Sequence, residues 1–321
     1  MRILVTGGMG FIGHNVVAQL EVLGHEVTIV DNFTDYGIIP EDELNALMLE
    51  RQTQIYSVNC PYDISESAFE NAFKMSDPEL VIHLASFPRQ KVVNSNPTLA
   101  ADTMMKGLLN VCELSAKYKV NKVVYVSSSM VYGDYIDGTD EYATCNPIGQ
   151  YAIMKLAGEH IVRDYGRRGC FNFTIVRPSA VYGPRDVEDR VISKFFMAAM
   201  RDEVLKVNGP YEKLDFTYVD DTASGIVGAS LSTNAPFRTY NITRGESRTL
   251  LEAAMTITTL VGKGKIEVNN KDDNFPSRGA LSIENACRDF GFDPKINIEE
   301  GFQRYYEYLQ SSPFWSNKTV R

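Results

Sequence analysis

The sequence predicts an α/β protein: a doubly wound parallel sheet followed by a smaller mixed α/β domain. Three observations carry that prediction. Short runs rich in valine and isoleucine recur through the first half with little polar alternation, as strands do when both faces are covered. Helix-like stretches separate those runs, which demands crossover connections and a parallel order. The chain has 321 residues, enough for one large core and a second, smaller one.

The first run, RILVT at 2–6, passes directly into glycines and an amphipathic helix over 11–23. HEVTIVD at 25–31, QIYSVN at 54–59, LVIHLA at 80–85, KVVYVSS at 122–128 and FTIVRP at 173–178 read as the following strands. The pattern then changes, because Pro178, Gly183, Pro184, Gly209 and Pro210 break the chain more often. A helix is expected over 191–200. A strand at 215–219 (DFTYV) should run into a helix capped by Asp220 or Asp221. A further strand is expected at 237–242, and helices at 249–261, 282–290 and 298–310. The closing SSPFWSNKTVR carries no structural signal and reads as a loose tail. The division that follows is a first domain over 1–177, with segments near 213–243 returning to its sheet, and a smaller, substrate-binding domain over 178–321.

A formal net charge of -9 argues against holding a nucleic-acid backbone, which needs clustered lysine and arginine. A local basic site for a small anion remains compatible with it. The five cysteines are odd in number and form no C-x-x-C, so free thiols in a reducing cytoplasm are expected. His14, His25, His83 and His160 lack ligand spacing, so no metal is expected, and His83 reads as a core residue inside an apolar run. Residues 1–6 read as a buried strand rather than a signal peptide. No apolar run reaches membrane-spanning length, and no membrane partner is expected.

The first strand ends in TGGMGFIG at 6–13. Gly7 permits a tight turn, Gly10 lets a pyrophosphate approach the backbone, and Gly13 lets the helix pack on the strand. The N–H groups and dipole of the helix then favour a diphosphate. Placed between a strand and an amphipathic helix, this is a dinucleotide-binding turn of the Rossmann type. Asp31 ends the second strand, where a carboxylate accepts from ribose hydroxyls and repels a 2′-phosphate, so NAD is expected over NADP. Asn32 is placed to help. Asp63 and Ile64 flank the adenine, or Asp63 is a helix N-cap.

Tyr151 and Lys155 lie four apart, on one helix face. A phenol titrates near 10, and a neighbouring ammonium is expected to lower it, so Tyr151 can take a proton from a substrate hydroxyl. The run Ser127-Ser128-Ser129-Met130-Val131-Tyr132-Gly133 ends the fifth strand, at the sheet edge where ligands bind.

With these landmarks the chain resembles the extended short-chain dehydrogenases/reductases, and within them the NAD-dependent epimerase/dehydratase group. TGGMGFIG, VDNF, Asp63-Ile64, LVIHLAS, SSSMVYG, YAIMK, RPSAVYGPR, LDFTYVDD and GFDPKINIEEGF carry the resemblance over nearly the whole chain. It implies that Ser128, Tyr151 and Lys155 are catalytic and that Lys155 also bonds the nicotinamide ribose. It implies NAD contacts at Phe11 and Ile12, at Leu84, Ala85 and Ser86, and at Pro178. It further implies a homodimer, paired through helices near 97–119 and 148–168.

Dehydratases of this group carry Asp and Glu directly after the catalytic serine or threonine, and decarboxylases keep the Glu. Here those positions are Ser129 and Met130, neither of them an acid. The expected reaction is therefore epimerisation of a nucleotide-diphosphate sugar by transient oxidation at C4. The alternatives are a dehydrogenase or reductase with net redox, and a non-catalytic NAD-binding regulator. On the substrate side, Ala180 stands where many members have Asn or Thr, Leu214 where many have a diphosphate-gripping arginine, and Met104 where many have asparagine near the nicotinamide. Ser128, Ser129, Ala180, Arg185, Lys213, Lys271 and Arg278 are the substrate-binding candidates. Lysine lacks the two-pronged geometry of arginine. The loop 86–91 should face the sugar; Arg89 or Lys91 meets an anionic group there, or the loop is simply solvated. Phe195, Phe196 and Tyr211 either contact a base or, for the phenylalanines, belong to the core.

Overall fold

A computed structural model describes residues 1–34, 37, 39–272 and 275–319. Its central sheet has seven parallel strands in the spatial order Asn59–Cys60, Glu26–Val30, Arg2–Thr6, Leu80–His83, Lys122–Val126, Asn172–Pro178, Arg238–Ile242. The chain winds outward in one direction from Arg2–Thr6, returns to its other side at Leu80–His83, and winds outward again. Connections therefore diverge between those two strands, and a crevice opens at their carboxyl ends.

The missing polar alternation has a direct structural cause. Ile3, Val5, Ile29 and Ile82 face one core, with Val16 and Leu20 of helix Phe11–Val22 and Ile226 of helix Val219–Leu231. Leu4, Val30, Val81 and Val123 face the other, with Phe73, Val111 and Val162. Successive residues of one strand point to opposite faces, and both faces are apolar. His83 lies in this interior, its Nδ1 2.7 Å from the Thr6 hydroxyl. A further core, built from Phe196, Leu205, Phe216, Ile257, Phe302 and Trp315, follows the sheet. It is edged by short strand pairs: Val181–Tyr182 with Thr217–Tyr218, Lys213–Leu214 with Arg248–Thr249, and Val204–Asn208 with Lys265–Asn269.

Four expectations need correction. Of the 54–59 run only Asn59 is strand, in the pair Asn59–Cys60: Tyr56 is 95% exposed, and the N–H groups of Tyr56 and Ser57 donate to the Glu21 carboxylate instead of a neighbouring strand. Of 215–219 only Thr217–Tyr218 is strand, and it pairs with Val181–Tyr182 outside the large sheet. Within 213–243, helix Val219–Leu231 and strand Arg238–Ile242 join the large sheet. Neither Asp220 nor Asp221 caps that helix; both lie in its first turn, and the Asp221 carboxylate accepts from the N–H groups of Lys295 (3.0 Å) and Ile296 (2.8 Å). The tail is not loose. Residues Pro313–Thr319 form a helix, Trp315 is 1% exposed, and its indole N–H donates to the Tyr308 hydroxyl at 3.1 Å. One large aromatic ring supplies the burial that seven residues of otherwise weak pattern lack.

Asp215 is a further feature with no sequence warning. Fully buried, its carboxylate accepts from the N–H groups of Leu281 (3.0 Å) and Gly245 (3.2 Å), joining three separate segments. Burial pushes its pKa up to about 7, against the pull of those bonds.

Two outcomes are expected. Trp315→Ala should destabilise the fold by about 3–5 kcal/mol, the range for deleting a buried large ring, measured by denaturant unfolding; a change within about 0.5 kcal/mol would place the final helix outside the cooperative fold. For Asp215, the folded state binds the proton more tightly than the unfolded chain between pH 3.8 and about 7. Its contribution is present at acid pH and lost as pH rises through that window. The stability of the wild type relative to Asp215→Asn should therefore fall as pH rises, and a flat difference would refute the assignment.

Candidate active site

The crevice is built first by glycine. Gly7 has φ +73°, and a Cβ there would lie 2.6 Å from the Ala85 nitrogen. A Cβ on Gly13 would lie 2.0 Å from the Gly7 carbonyl oxygen, so the helix reaches the strand end only without a side chain. The helix that follows starts at Phe11 and presents Phe11, Ile12 and Gly13 to the crevice. The first N–H groups of a helix have no partner inside it, which suits a diphosphate.

The crevice is a continuous groove. One end is lined by Asp31, Asn32, Asp63, Ile64 and Ala85, the other by Ser128, Tyr151, Lys155, Pro178, Ala180 and Arg278; Gly7, Gly10, Phe11, Leu84, Ser86 and Arg89 line both. An elongated ligand with a diphosphate near its middle fits that arrangement. At the first end Asp31 accepts from the N–H groups of Met9 (3.0 Å) and Phe33 (2.9 Å), while burial raises its pKa. Asn32 donates to Asp63 at 2.9 Å. The other Asp63 oxygen accepts from the N–H and hydroxyl of Ser65 (2.8 and 2.7 Å), a side-chain turn, and the short helix Ser67–Phe69 is preceded at its cap by Glu66. The N-cap alternative for Asp63 is thereby removed.

At the other end, helix Gln150–Arg167 brings Tyr151 and Lys155 to the end of strand Lys122–Val126, beside Ser128. Burial holds the Tyr151 phenol above its ordinary pKa, and the Ser128 hydroxyl pulls it down. The Lys155 ammonium donates to the Val126 carbonyl at 2.8 Å and lies 5.9 Å from the Tyr151 ring centre. Burial lowers its own pKa to about 7, and Glu159 raises it. The expected lowering of the phenol by Lys155 is not met by this arrangement, because the amine is directed to a backbone carbonyl and burial governs the phenol.

Beneath these residues lies a network the sequence reading missed. Glu159 accepts from Ser127 (2.7 Å), from Arg177 through Nε (2.8 Å) and Nη2 (2.7 Å), and from Arg163 (3.2 Å). The available signal was its spacing: Glu159 falls one turn beyond Lys155 on the same helix face.

The basic candidates separate sharply. Arg278 lines the groove, its Nε has no hydrogen-bond partner among the described residues, and its Nη1 lies 3.7 Å from the Met130 sulfur. Lys213, by contrast, pairs with Asp137 at 2.8 Å and Lys271 with Glu212 at 3.1 Å. Arg185 donates to His14 Nε2 at 2.9 Å. None of these three is among the residues that line the groove; each bonds a nearer partner instead. Arg89 lines it but pairs with Asp189 at 2.7 Å, and Lys91 lines it as well. Ser129 and Leu214 also line it, and Ala180 does so with φ +37°, a conformation that asparagine tolerates better than alanine. Met104 is buried against Phe87 and Val93, in the cluster on which Tyr151 packs. Phe195 and Phe196 are core residues, and Tyr211 is exposed away from the groove.

A model of the NAD dependent epimerase/dehydratase family matches residues 3–243. A putative UDP-glucose 4-epimerase of Methanocaldococcus jannaschii is 29% identical over 97% of this chain and 99% of its own. UDP-glucuronic acid decarboxylase 6 of Arabidopsis thaliana is 31% identical over 94% of this chain and 86% of its own. The crystal structure of UDP-glucuronic acid 4-epimerase from Bacillus cereus, in complex with UDP-glucuronic acid and NAD, superposes with a TM-score of 0.86 at 25% identity, covering 96% of this chain and 98% of that one. With the glycine turn, the acid after the second strand and the groove between them in place, the chain belongs to the NAD dependent epimerase/dehydratase family and its cofactor is NAD.

Proposed function

We propose that the protein is a nucleotide-diphosphate-sugar 4-epimerase. The observation that carries this reading is the convergence of Ser128, Tyr151 and Lys155 at one end of the groove, with Ser129 and Met130 where an acid would be needed for other outcomes. NAD, when bound, supplies an oxidised, cationic nicotinamide that accepts a hydride from the sugar carbon and returns it. As the phenolate, a form that the positive charge of a bound nicotinamide would favour against the burial that raises its pKa, Tyr151 takes the proton of the C4 hydroxyl as that carbon becomes a carbonyl. Ser128 hydrogen-bonds the same oxygen and holds it against the phenol. Lys155 places positive charge beneath the pair and orients the nicotinamide ribose. Tyr151 would then return the proton to the same oxygen, closing the cycle without net loss of a proton. Neither Ser129 nor Met130 can act as a carboxylic acid in an elimination, which disfavours dehydration. The Arabidopsis relative is named a decarboxylase, but Met130 stands where such enzymes keep their Glu.

Arg278 is assigned to the substrate diphosphate, because its guanidinium has no ion-pair partner among the described residues. The names of the M. jannaschii and B. cereus proteins favour a UDP-sugar. Leu99, Leu109 and Ile153, exposed on the helices expected to pair across a two-fold axis, support a homodimer.

Three experiments test the reading. Tyr151→Phe should lower turnover roughly 100- to 10,000-fold, the contribution of a positioned acid–base, while NAD remains bound; unchanged turnover would overturn the catalytic assignment. During wild-type turnover the C4 configuration should invert with no net absorbance change at about 340 nm, the reduced-nicotinamide band. Reduced cofactor accumulating in step with product favours the dehydrogenase instead. Arg278→Met should reduce kcat/KM roughly tenfold to hundredfold, mostly through KM, as expected for one lost charge-assisted bond. An unchanged KM would remove Arg278 from the diphosphate site.

A further inference from the structure

Residues 186–190 line both ends of the groove through Asp186 and Arg190, and four separate contacts fasten this segment and its neighbour Arg185 to the glycine turn, to helix Glu41–Gln52 and to Arg89. Arg51, 4% exposed in helix Glu41–Gln52, donates from Nη1 to the Met9 carbonyl (3.2 Å) and from Nη2 to the Arg185 carbonyl (2.8 Å). Glu43, on the same helix, accepts from the Glu188 N–H at 2.8 Å. Arg89 pairs with Asp189 at 2.7 Å. Arg185 donates to His14 Nε2 at 2.9 Å, and the opposite ring nitrogen of His14 bonds the Gly10 carbonyl at 2.9 Å. Two of the four contacts thus end on the glycine turn itself, at Met9 and, through His14, at Gly10.

We propose that residues 185–190 form a strap that retains the bound dinucleotide, with Arg51 as the positioning residue that latches the strap to the glycine turn. Arg51 is a costly way to join two loops. It is buried, it bonds two carbonyls rather than a carboxylate, and its Nε has no hydrogen-bond partner among the described residues. Neutral donors would link the same carbonyls without desolvating a charge. The Asp31 and Asp186 carboxylates face the Arg51 guanidinium and offset its charge, and Arg51 lines the adenosine end of the groove. Asp186 is also incomplete: one of its oxygens accepts from the Val187 N–H, and the other is buried without a hydrogen-bond partner among the described residues, an acceptor that a ligand hydroxyl would satisfy.

The consequence reaches the chemistry. Returning a hydride to the same sugar requires a cofactor that stays through turnover, whereas net oxidation requires one that leaves. A strap fastened at four points favours the first. This inference rests on the epimerase reading, and the test separates the two.

The experiment is NAD exchange. The protein is purified with its NAD, mixed with isotopically labelled NAD, and the bound fraction is followed by mass spectrometry, for the wild type, Arg51→Met and Asp189→Asn. Asp189 is partly exposed, so its variant answers the question should Arg51→Met fail to fold. Each variant should exchange roughly tenfold faster than the wild type, the effect of about one charge-assisted bond. Arg51→Met should also acquire a measurable KM for added NAD, with turnover restored as NAD is raised. A purely structural role predicts lower thermal stability and lower kcat with unchanged exchange and no rescue by NAD, and that result overturns the strap. Variants that hold NAD as long as the wild type overturn it equally. A wild type that exchanges its NAD within a turnover overturns the epimerase reading as well.

Discussion

Glu159 is the constraint on which the active end of the groove depends. One buried carboxylate binds Ser127 at the end of a central strand, Arg177 in the next strand and Arg163 on its own helix. It therefore fixes helix Gln150–Arg167 against both strands, and with it the register of Tyr151 and Lys155 over Ser128. The bidentate contact to Arg177 is geometrically strong, and removing one partner of such a buried pair leaves the other charge uncompensated. The same carboxylate favours the ammonium form of Lys155 against burial, and the balance of the two leaves its pKa at about 7. Position and protonation of Lys155 thus share one origin.

The electrostatics of the groove come from pairing rather than from composition. The chain is acidic, yet cations crowd the groove margin. Most are answered locally: Lys213 by Asp137, Arg89 by Asp189, Arg190 by Asp186 at 3.8 Å, Lys271 by Glu212. What distinguishes a ligand-binding cation here is the absence of such an answer together with burial, because an unpaired charge away from water is tolerated only where something else completes it. Sequence position alone cannot supply that criterion.

This explains which parts were legible. The glycine spacing, Asp31, and the Tyr151–Lys155 pair could be read because each depends on neighbours within a few residues, and local steric demands leave few alternatives. The apolar strands were readable for the same reason. The run 54–59 misled because its hydrophobic residues lie at a sheet edge, where Tyr56 and Val58 stay exposed. The final helix escaped because its stability comes from one tryptophan filling a distant core, which no local pattern records. Glu159 with Arg177, Asp215 with Leu281, and Arg51 with Arg185 all join residues remote in sequence, and their meaning exists only once the fold has placed them together.

Met130 and Arg278 show how two apparent departures reduce to one. The resemblance to acid-bearing relatives made Met130 a loss of chemistry and left Arg278 one of several candidate cations. In the structure the Met130 sulfur and the Arg278 guanidinium touch, at 3.7 Å. A carboxylate at position 130 would meet that guanidinium at close range and draw it into an ion pair, as happens to Lys213 and Lys271. A thioether is a weak acceptor and leaves the positive charge available. A methionine in place of an acid therefore does two things at once: it lacks a group suited to elimination, and it leaves the Arg278 charge available at the end of the groove lined by Ser128, Tyr151 and Lys155.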